Sequence, residues 1–174
     1  MKSLSKLSGL SLAVIFLAIV ALLFTIDVGK VSAQQVFNNE NGMGVQNSPT
    51  SPTVVTIKQP YKITVLRTYH WNNGRGTPAP GTIGLKDASG KMYGPWQASG
   101  SPGQGGVPNA YWSTAPNIIL PAGTYTVVDS NPATWSQNGN SGGKGFTAIN
   151  GSPAGPVAPV DDDVKGRVNL PVKK

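Results

Sequence analysis

The feature that most constrains the fold of this chain is a series of short β-type runs, each closed by turn residues. Runs rich in Val, Ile, Thr and Tyr alternate with Gly, Pro and Asn between residues 54 and 149. No window of useful length has helical periodicity, and 22 Gly and 15 Pro would interrupt most helices. Several short strands with frequent turn signals predict an all-β fold, either an antiparallel β-sandwich or a jelly roll.

Alternation and turn chemistry locate the individual strands. Residues 61–72 alternate so that Ile63, Val65, Tyr69 and Trp71 share one face, and Arg67 falls on the same face. Residues 82–86 and 91–96 form a hairpin across a type I turn that ends in Gly at position 90. Residues 117–120 and 124–130 form a second pair, and residues 54–58 and 146–149 complete the set.

The N-terminal end is typical of an export signal. Lys2 and Lys6 precede an apolar run over residues 10–26, and the small residues at 31–33 suit cleavage before Gln34. We therefore predict a helical signal peptide over residues 1–33, with an uncleaved membrane anchor as the alternative. Either way the rest of the chain is secreted or extracytoplasmic, in a periplasm or on a cell surface, and contacts a membrane only through this segment.

Composition divides the remaining chain into three parts. Residues 34–51 are rich in Asn, Gly, Gln and Ser, which predicts a flexible segment in which Phe37 and Val45 can still add an edge strand. Residues 52–150 form the predicted β-sandwich domain. Residues 151–174 contain frequent Pro and no aromatic residue, which predicts a disordered Pro/Gly-rich tail.

Charge and cysteine content limit the partners and the chemistry. The chain contains no Cys, which excludes thiol catalysis, thiolate metal sites and disulfides. Its net charge of +7 favours anionic partners, such as an acidic polysaccharide or another envelope polymer. The basic residues are nevertheless spaced singly, as on a solvated β-surface, and export argues against a nucleic-acid partner.

Aromatic and turn residues recur together in a set of motifs. They read Thr-Tyr-His-Trp-Asn-Asn-Gly at 68–74, Tyr-Gly-Pro-Trp at 93–96, Gly-Gly-Val-Pro-Asn-Ala-Tyr-Trp at 105–112, Leu-Pro-Ala-Gly-Thr-Tyr-Thr-Val-Val-Asp-Ser at 120–130 and Ala-Thr-Trp-Ser-Gln-Asn at 133–138. Over residues 42–149 this set resembles a recurrent module of uncharacterised secreted microbial proteins. Residues 120–128 are also similar to the last hairpin of pre-peptidase C-terminal and carbohydrate-binding jelly rolls. The second resemblance implies a β-sandwich with an accessory binding role, and neither resemblance assigns functional residues.

The tryptophans are the first candidates for a binding site, because exposed aromatic rings form platforms for sugar rings. We expect Trp71 and Trp96 to be buried, and we expect Trp112 and Trp135, which fall in predicted loops, to contact ligand. The complete set of candidate ligand-binding residues is Arg67, His70, Asn73, Tyr111, Trp112 and Trp135.

The charged candidates each have a structural alternative. His70 is the only His, and an exposed or half-buried strand position is favoured over a ligand contact. Arg67 lies among inward-facing positions, so we predict an ion pair with Asp129. Asp129 alternatively caps the turn that follows it, or contributes to a weak Ca²⁺ site. No other metal and no cofactor is predicted.

These patterns favour a secreted, non-catalytic binding module for a carbohydrate or cell-envelope polymer. The sequence contains no Ser elbow, no closely spaced acid pair and no Cys–His pair, which argues against an enzyme. The alternative is a structural or adhesive extracellular protein that assembles through sheet edges, with residues 34–50 as the pairing strand. A small hydrolase or inhibitor ranks third, and would require Asp129, His70 and a Ser to cluster.

Overall fold

The computed structural model describes residues 33–155, and these residues form an antiparallel all-β fold as the sequence predicts. Residues 1–32 of the predicted signal peptide and residues 156–174 of the predicted tail lie outside the described residues. The predicted start of the tail at residue 151 is wrong, because residues 151–153 belong to the last strand of the fold and pair with residues 61–63. Within the described part, no helix is long and apolar enough to cross a membrane.

Twelve strands account for nearly half of the described residues. In chain order they are β1 (Gln34–Asn38), β2 (Gln46–Asn47), β3 (Val54–Ile57), β4 (Tyr61–Tyr69), β5 (Thr82–Asp87), β6 (Met92–Gln97), β7 (Ser99–Ser101), β8 (Tyr111–Thr114), β9 (Ile118–Leu120), β10 (Gly123–Asp129), β11 (Ser136–Gln137) and β12 (Thr147–Pro153). Single 3₁₀ turns occur at Asn72–Gly74, Gln104–Gly106 and Gly139–Ser141.

Two main sheets share one hydrophobic core. The first has the order β1-β12-β4-β8-β7, and β9 pairs with the half of β4 that β8 leaves free. The predicted pairing of residues 117–120 with residues 124–130 is therefore wrong, because β9 and β10 belong to different sheets. The second has the order β3-β10-β5-β6, and β2 and β11 form a separate small pair. Ile63 and Leu66 from β4 belong to the same buried cluster as Leu85 from β5 and Tyr125 from β10, so the facing sides of the two sheets pack on each other.

A β-bulge in β4 determines which side chains face that core. Ile63 is paired with Gly151 and Val65 with Asn150, so Thr64 is an extra residue on β4. Because side chains alternate with period two, one extra residue moves every later side chain to the opposite face. Leu66 and Thr68 therefore point inward, and Arg67 and Tyr69 lie on the opposite, outer face of the sheet. The predicted uniform alternation over residues 61–72 is wrong beyond Thr64 for this reason.

The N-terminal strand β1 supplies the edge strand that the sequence allows for residues 34–51. Its Phe37 lies opposite Ile149 of β12, and the backbone of Asn39 donates to the carbonyl of Thr147 at 3.2 Å. The segment predicted to be flexible thus contains hydrogen-bonded structure, and it carries residues 40–45 across the outer face of the first sheet.

The predicted hairpin at residues 82–96 is confirmed, with Asp87 as its organising residue. The Asp87 carboxylate accepts from the backbone N–H of Ser89 at 2.9 Å and of Lys91 at 3.0 Å, and Gly90 adopts a φ of 89°. The pKa of Asp87 is lowered, mainly because its carboxylate accepts a hydrogen bond from the Ser89 hydroxyl.

Tyr125 makes the stability of this fold sensitive to alkaline pH. Burial raises the pKa of Tyr125 from 10.0 to about 12, and its hydroxyl donates to the Pro121 carbonyl at 2.9 Å. A phenol whose pKa is higher in the folded state contributes stability that is complete below its unfolded pKa and is lost as pH rises through the folded value. We therefore expect the free energy of unfolding to fall between about pH 10 and pH 12.

Chemical denaturation at a series of pH values would test this expectation. Tyr125→Phe should weaken the alkaline decline, and Tyr61→Phe, which removes a hydroxyl bonded to the exposed Gln34 amide, serves as the matched control. If the free energy of unfolding of Tyr125→Phe fell with alkaline pH as steeply as that of the unaltered protein, Tyr125 would not be the cause of the decline.

Candidate functional site

The structure places some of the predicted binding residues in the core and others at the outer surface. Trp112 is opposite Thr68 on the core face and is 1% exposed, and its Nε1 donates to Thr77 Oγ1 at 3.0 Å. Trp135 is 5% exposed, and its Nε1 donates to the Phe146 carbonyl at 2.9 Å. The expected exposure of Trp112 and Trp135 is therefore wrong, and both rings belong to the core. Trp112 lies in β8, whereas Trp135 does lie in a loop, directly before β11. Trp71 and Trp96, predicted to be buried, are instead only partly buried.

His70 is fully buried, which contradicts the expected exposed or half-buried position. The bulge at Thr64 gives His70 the inward orientation of Thr68, and its ring stacks on Trp112 with the ring centroids 3.8 Å apart. Its Nε2 lies 3.2 Å from Asp129 Oδ2, and its Nδ1 lies 2.9 Å from Thr134 Oγ1. Every polar atom of the ring is thus satisfied inside the protein, and none is directed at a ligand.

Asp129 completes this buried network, and its predicted ion pair with Arg67 does not form. Its Oδ2 accepts from Thr68 Oγ1 at 2.8 Å, and its Oδ1 accepts from the Asn131 backbone N–H at 2.8 Å. The second contact confirms the predicted role of Asp129 in capping the following turn. Both oxygens are engaged by protein donors, and within residues 33–155 no group of three or more His, Cys, Asp or Glu side chains could hold a metal ion.

Thr134, His70 and Asp129 follow one another as hydroxyl, imidazole and carboxylate, which is the order of groups in a hydrolase catalytic triad. The Ser that a hydrolase was expected to need is not part of the cluster, where Thr134 bonds to the ring instead. The imidazole is 0% exposed and is covered on one face by Trp112. Because Thr68 and His70 lie at the end of the first sheet and Asp129 at the end of a strand of the second, this network joins the two sheets. The network therefore links the two sheets through hydrogen bonds between buried side chains.

A cleft of about 460 Å³ lies on the outer face, on the other side of β4 from this network. Its floor is formed by side chains of the first sheet and its wall by the segment that follows β1. The lining residues are Glu40, Asn41, Gly42, Met43, Gly44, Val45, Tyr69, Trp71, Gln104, Tyr111 and Phe146. A concave site with aromatic walls and a few polar groups is typical of a ligand pocket.

The floor of the cleft is a small aromatic cluster. Tyr69 and Tyr111 lie directly opposite each other on β4 and β8, with ring centroids 4.7 Å apart and a tilt of 45°. Phe146 is a buried member of the same cluster, and burial raises the pKa of Tyr69. Tyr111 and Trp71 remain partly exposed, so their rings are the ones that a ligand can contact.

A pair of side-chain amides holds residues 40–45 against the cleft. Asn138 Nδ2 donates to Asn41 Oδ1 at 2.7 Å, and Asn41 Nδ2 donates to Asn138 Oδ1 at 3.2 Å. Asn138 is itself buried, and it also donates to the Gly44 carbonyl at 3.3 Å. The segment is therefore positioned by side-chain contacts although it belongs to no strand.

Arg67 pairs with Glu40 at the edge of the cleft. The guanidinium donates through Nε to Oε1 at 3.2 Å and through Nη2 to Oε2 at 2.6 Å, which is a bidentate arrangement. It also lies over the Tyr111 ring, 4.7 Å from its centroid. The Arg67 side chain is 35% exposed and the Glu40 side chain is 16% exposed, so solvent can reach the pair.

Of the six predicted binding residues, only Tyr111 lines this cleft. Arg67 borders it, because it contacts the two lining residues Glu40 and Tyr111. Asn73 is exposed in the 3₁₀ turn after Trp71, with a φ of 55°, and does not line the cleft. Sequence reasoning missed Glu40, although Glu40 is the only Glu of the chain, because it lies in a polar segment that was expected to be flexible. It also missed Trp71 as a residue of the cleft, because the bulge was not anticipated.

Comparisons with protein-family models, with curated proteins and with solved structures gave no match to this chain, so the geometry of the cleft carries the functional argument.

Proposed function

We propose that the protein is a secreted, non-catalytic binding module, a β-sandwich of the jelly-roll type, whose ligand is a carbohydrate or another polymer of the cell envelope. The ligand lies in the cleft beneath residues 40–45. The observation that supports this proposal is the placement of two partly exposed aromatic rings, Trp71 and Tyr111, beside the solvent-accessible Arg67–Glu40 pair.

The chemistry of these groups suits a sugar. The C–H face of a pyranose ring is apolar and stacks on an aromatic ring, which supplies contact area without ordering a flexible side chain. A guanidinium presents N–H donors in one plane, and oxygen atoms of an adjacent sugar can accept from them. Asn41 and Gln104 add amide groups to the lining.

The same lining argues for binding without turnover. Glycoside hydrolysis uses two carboxyl groups on opposite sides of the scissile bond. Among the described residues that line the cleft, Glu40 is the only carboxylate, and it is already paired with Arg67. The Thr134–His70–Asp129 network belongs to the core instead.

Assembly through sheet edges is the second candidate function, and β1 is the observation that favours it. β1 is an edge strand that pairs with β12 alone, and the segment after it contains Gly42 and Gly44. Exchange of β1 between two copies would link them without any new type of contact.

Titration of the secreted form with a panel of soluble polysaccharides, followed by tryptophan fluorescence, tests the proposal. We expect saturable binding that Trp71→Ala and Tyr111→Ala each weaken about tenfold or more, which corresponds to about 1.4 kcal/mol. Trp96→Ala, on β6 of the other sheet, is the matched control and should keep its affinity. The polysaccharide should be recovered unchanged in length.

Two results would count against this function. Shortened polysaccharide would contradict the non-catalytic assignment. Absence of saturable binding, together with a mass that rises with protein concentration, would favour assembly through β1.

A further inference from the structure

We infer that the ligand of this cleft is a carboxylated polysaccharide, in which an acidic sugar places its carboxylate on Arg67 and displaces Glu40. This inference rests on the proposed function and names the substrate class of the same site. The side chain of Glu40 then occupies, in the free protein, the position that the carboxylate of the ligand takes in the complex.

The Arg67–Glu40 geometry carries the inference. The two hydrogen bonds of 3.2 and 2.6 Å show that the guanidinium can donate to both oxygens of a planar carboxylate at the edge of the cleft. The guanidinium is also fixed by its position over the Tyr111 ring, so it keeps its orientation when Glu40 leaves. A sugar whose carboxylate reaches Arg67 brings its ring next to Tyr111, one of the two rings proposed for stacking.

Exchange of one carboxylate for another costs little at this place. The ligand carboxylate takes over the two hydrogen bonds that Glu40 makes to Arg67, and the partly exposed position of the pair lets the released Glu40 carboxylate regain water. The backbone on both sides of Glu40 is held, since Asn39 donates to Gly145 and Thr147 while Asn41 bonds to Asn138. Rotation of the Glu40 side chain alone therefore releases Arg67, without movement of the segment.

The charge distribution favours an anionic ligand over a neutral one. Basic residues outnumber carboxylates in the described part of the chain, and the two other carboxylates there are engaged elsewhere. Asp87 is bonded to its own hairpin turn and Asp129 is buried with His70. When Glu40 turns away, the cleft presents an unneutralised guanidinium to its ligand, on a surface that attracts anions.

The test compares oligogalacturonate with its methyl ester, which has the same sugar rings and no charge. We expect Arg67→Gln to weaken oligogalacturonate binding at least about tenfold, and Glu40→Gln to strengthen it about fivefold, because the neutral amide competes poorly for the guanidinium. Neither variant should change the affinity for the ester by as much. Lys62→Gln, at an exposed position on the same strand β4, is the matched control for loss of one positive charge.

The outcomes separate this inference from the function on which it rests. Equal binding of acid and ester, unaffected by Glu40→Gln, would overturn the inference and leave a glycan-binding module in place. Absence of binding to both, and to the neutral panel, would overturn both proposals. Dextran sulfate provides a third arm. If Glu40→Gln strengthened binding of dextran sulfate as much as that of oligogalacturonate, the choice of a carboxylate over other anions would be overturned. Denaturation curves for each variant exclude unfolding as the cause of lost binding.

Discussion

We expect His70→Ala and Asp129→Ala each to lower the free energy of unfolding by about 3–5 kcal/mol, because each leaves a buried polar group without its partner. Asp129→Ala removes the acceptor of Thr68 Oγ1 and of the Asn131 backbone N–H and deprives His70 Nε2 of its neighbour. His70→Ala leaves the Asp129 carboxylate enclosed with fewer partners, and it opens a cavity beside Trp112.

A double variant distinguishes a network from two independent contacts. Once either partner is gone, removal of the other relieves an unpaired buried group, so we expect the double variant to cost much less than the sum of the two single variants. Asp87→Ala is the matched control, since it removes an Asp whose contacts lie within an exposed hairpin turn, and it should have a much smaller effect. Urea denaturation followed by tryptophan fluorescence measures all four. Losses below about 1 kcal/mol for the buried pair would contradict the structural role.

Local patterns predict most of the strands because they depend on neighbours in sequence. The hairpin around Asp87 has its turn residues and its alternating flanks within about fifteen positions, and it forms as predicted. The register within β4 is different, because Thr64 is β-branched and fits either face of a sheet. Its role as the extra residue depends on Asn150 and Gly151 of β12, far along the chain. The faces of Arg67 and His70 could not be assigned without that pairing.

The cleft depends even more on distant parts of the chain. Its wall exists because β1 pairs with β12, which brings Glu40 to Arg67. The side-chain amides of Asn41 and Asn138 then hold residues 40–45 in place. Polar composition around Glu40 is the same as that of a flexible linker, so no local signal indicates the contact. Aromatic content alone does not say which rings face outward: the sequence pattern places Trp71 inside and Trp112 outside, and the structure has them the other way round.

Trp112, which is buried, and Trp71, which is partly exposed at the cleft, should respond differently to substitution. We expect Trp112→Ala to lower the free energy of unfolding by about 3–5 kcal/mol, since it removes a fully buried ring from the core, the stacking partner of His70, and the indole donor to Thr77 Oγ1. Trp71→Ala should cost much less stability, because its ring is partly exposed on the outer face.

Ligand affinity should respond in the opposite order. For Trp112→Ala, the fraction of protein that remains folded should bind the polysaccharide with unchanged affinity, whereas Trp71→Ala should bind about tenfold more weakly while it stays folded. Denaturation curves and fluorescence titrations on the same preparations separate the two effects. If Trp112→Ala kept its stability and lost its affinity, the ring would have to reach the ligand, and the assignment of Trp112 to the core and of the outer cleft to the ligand would both be wrong.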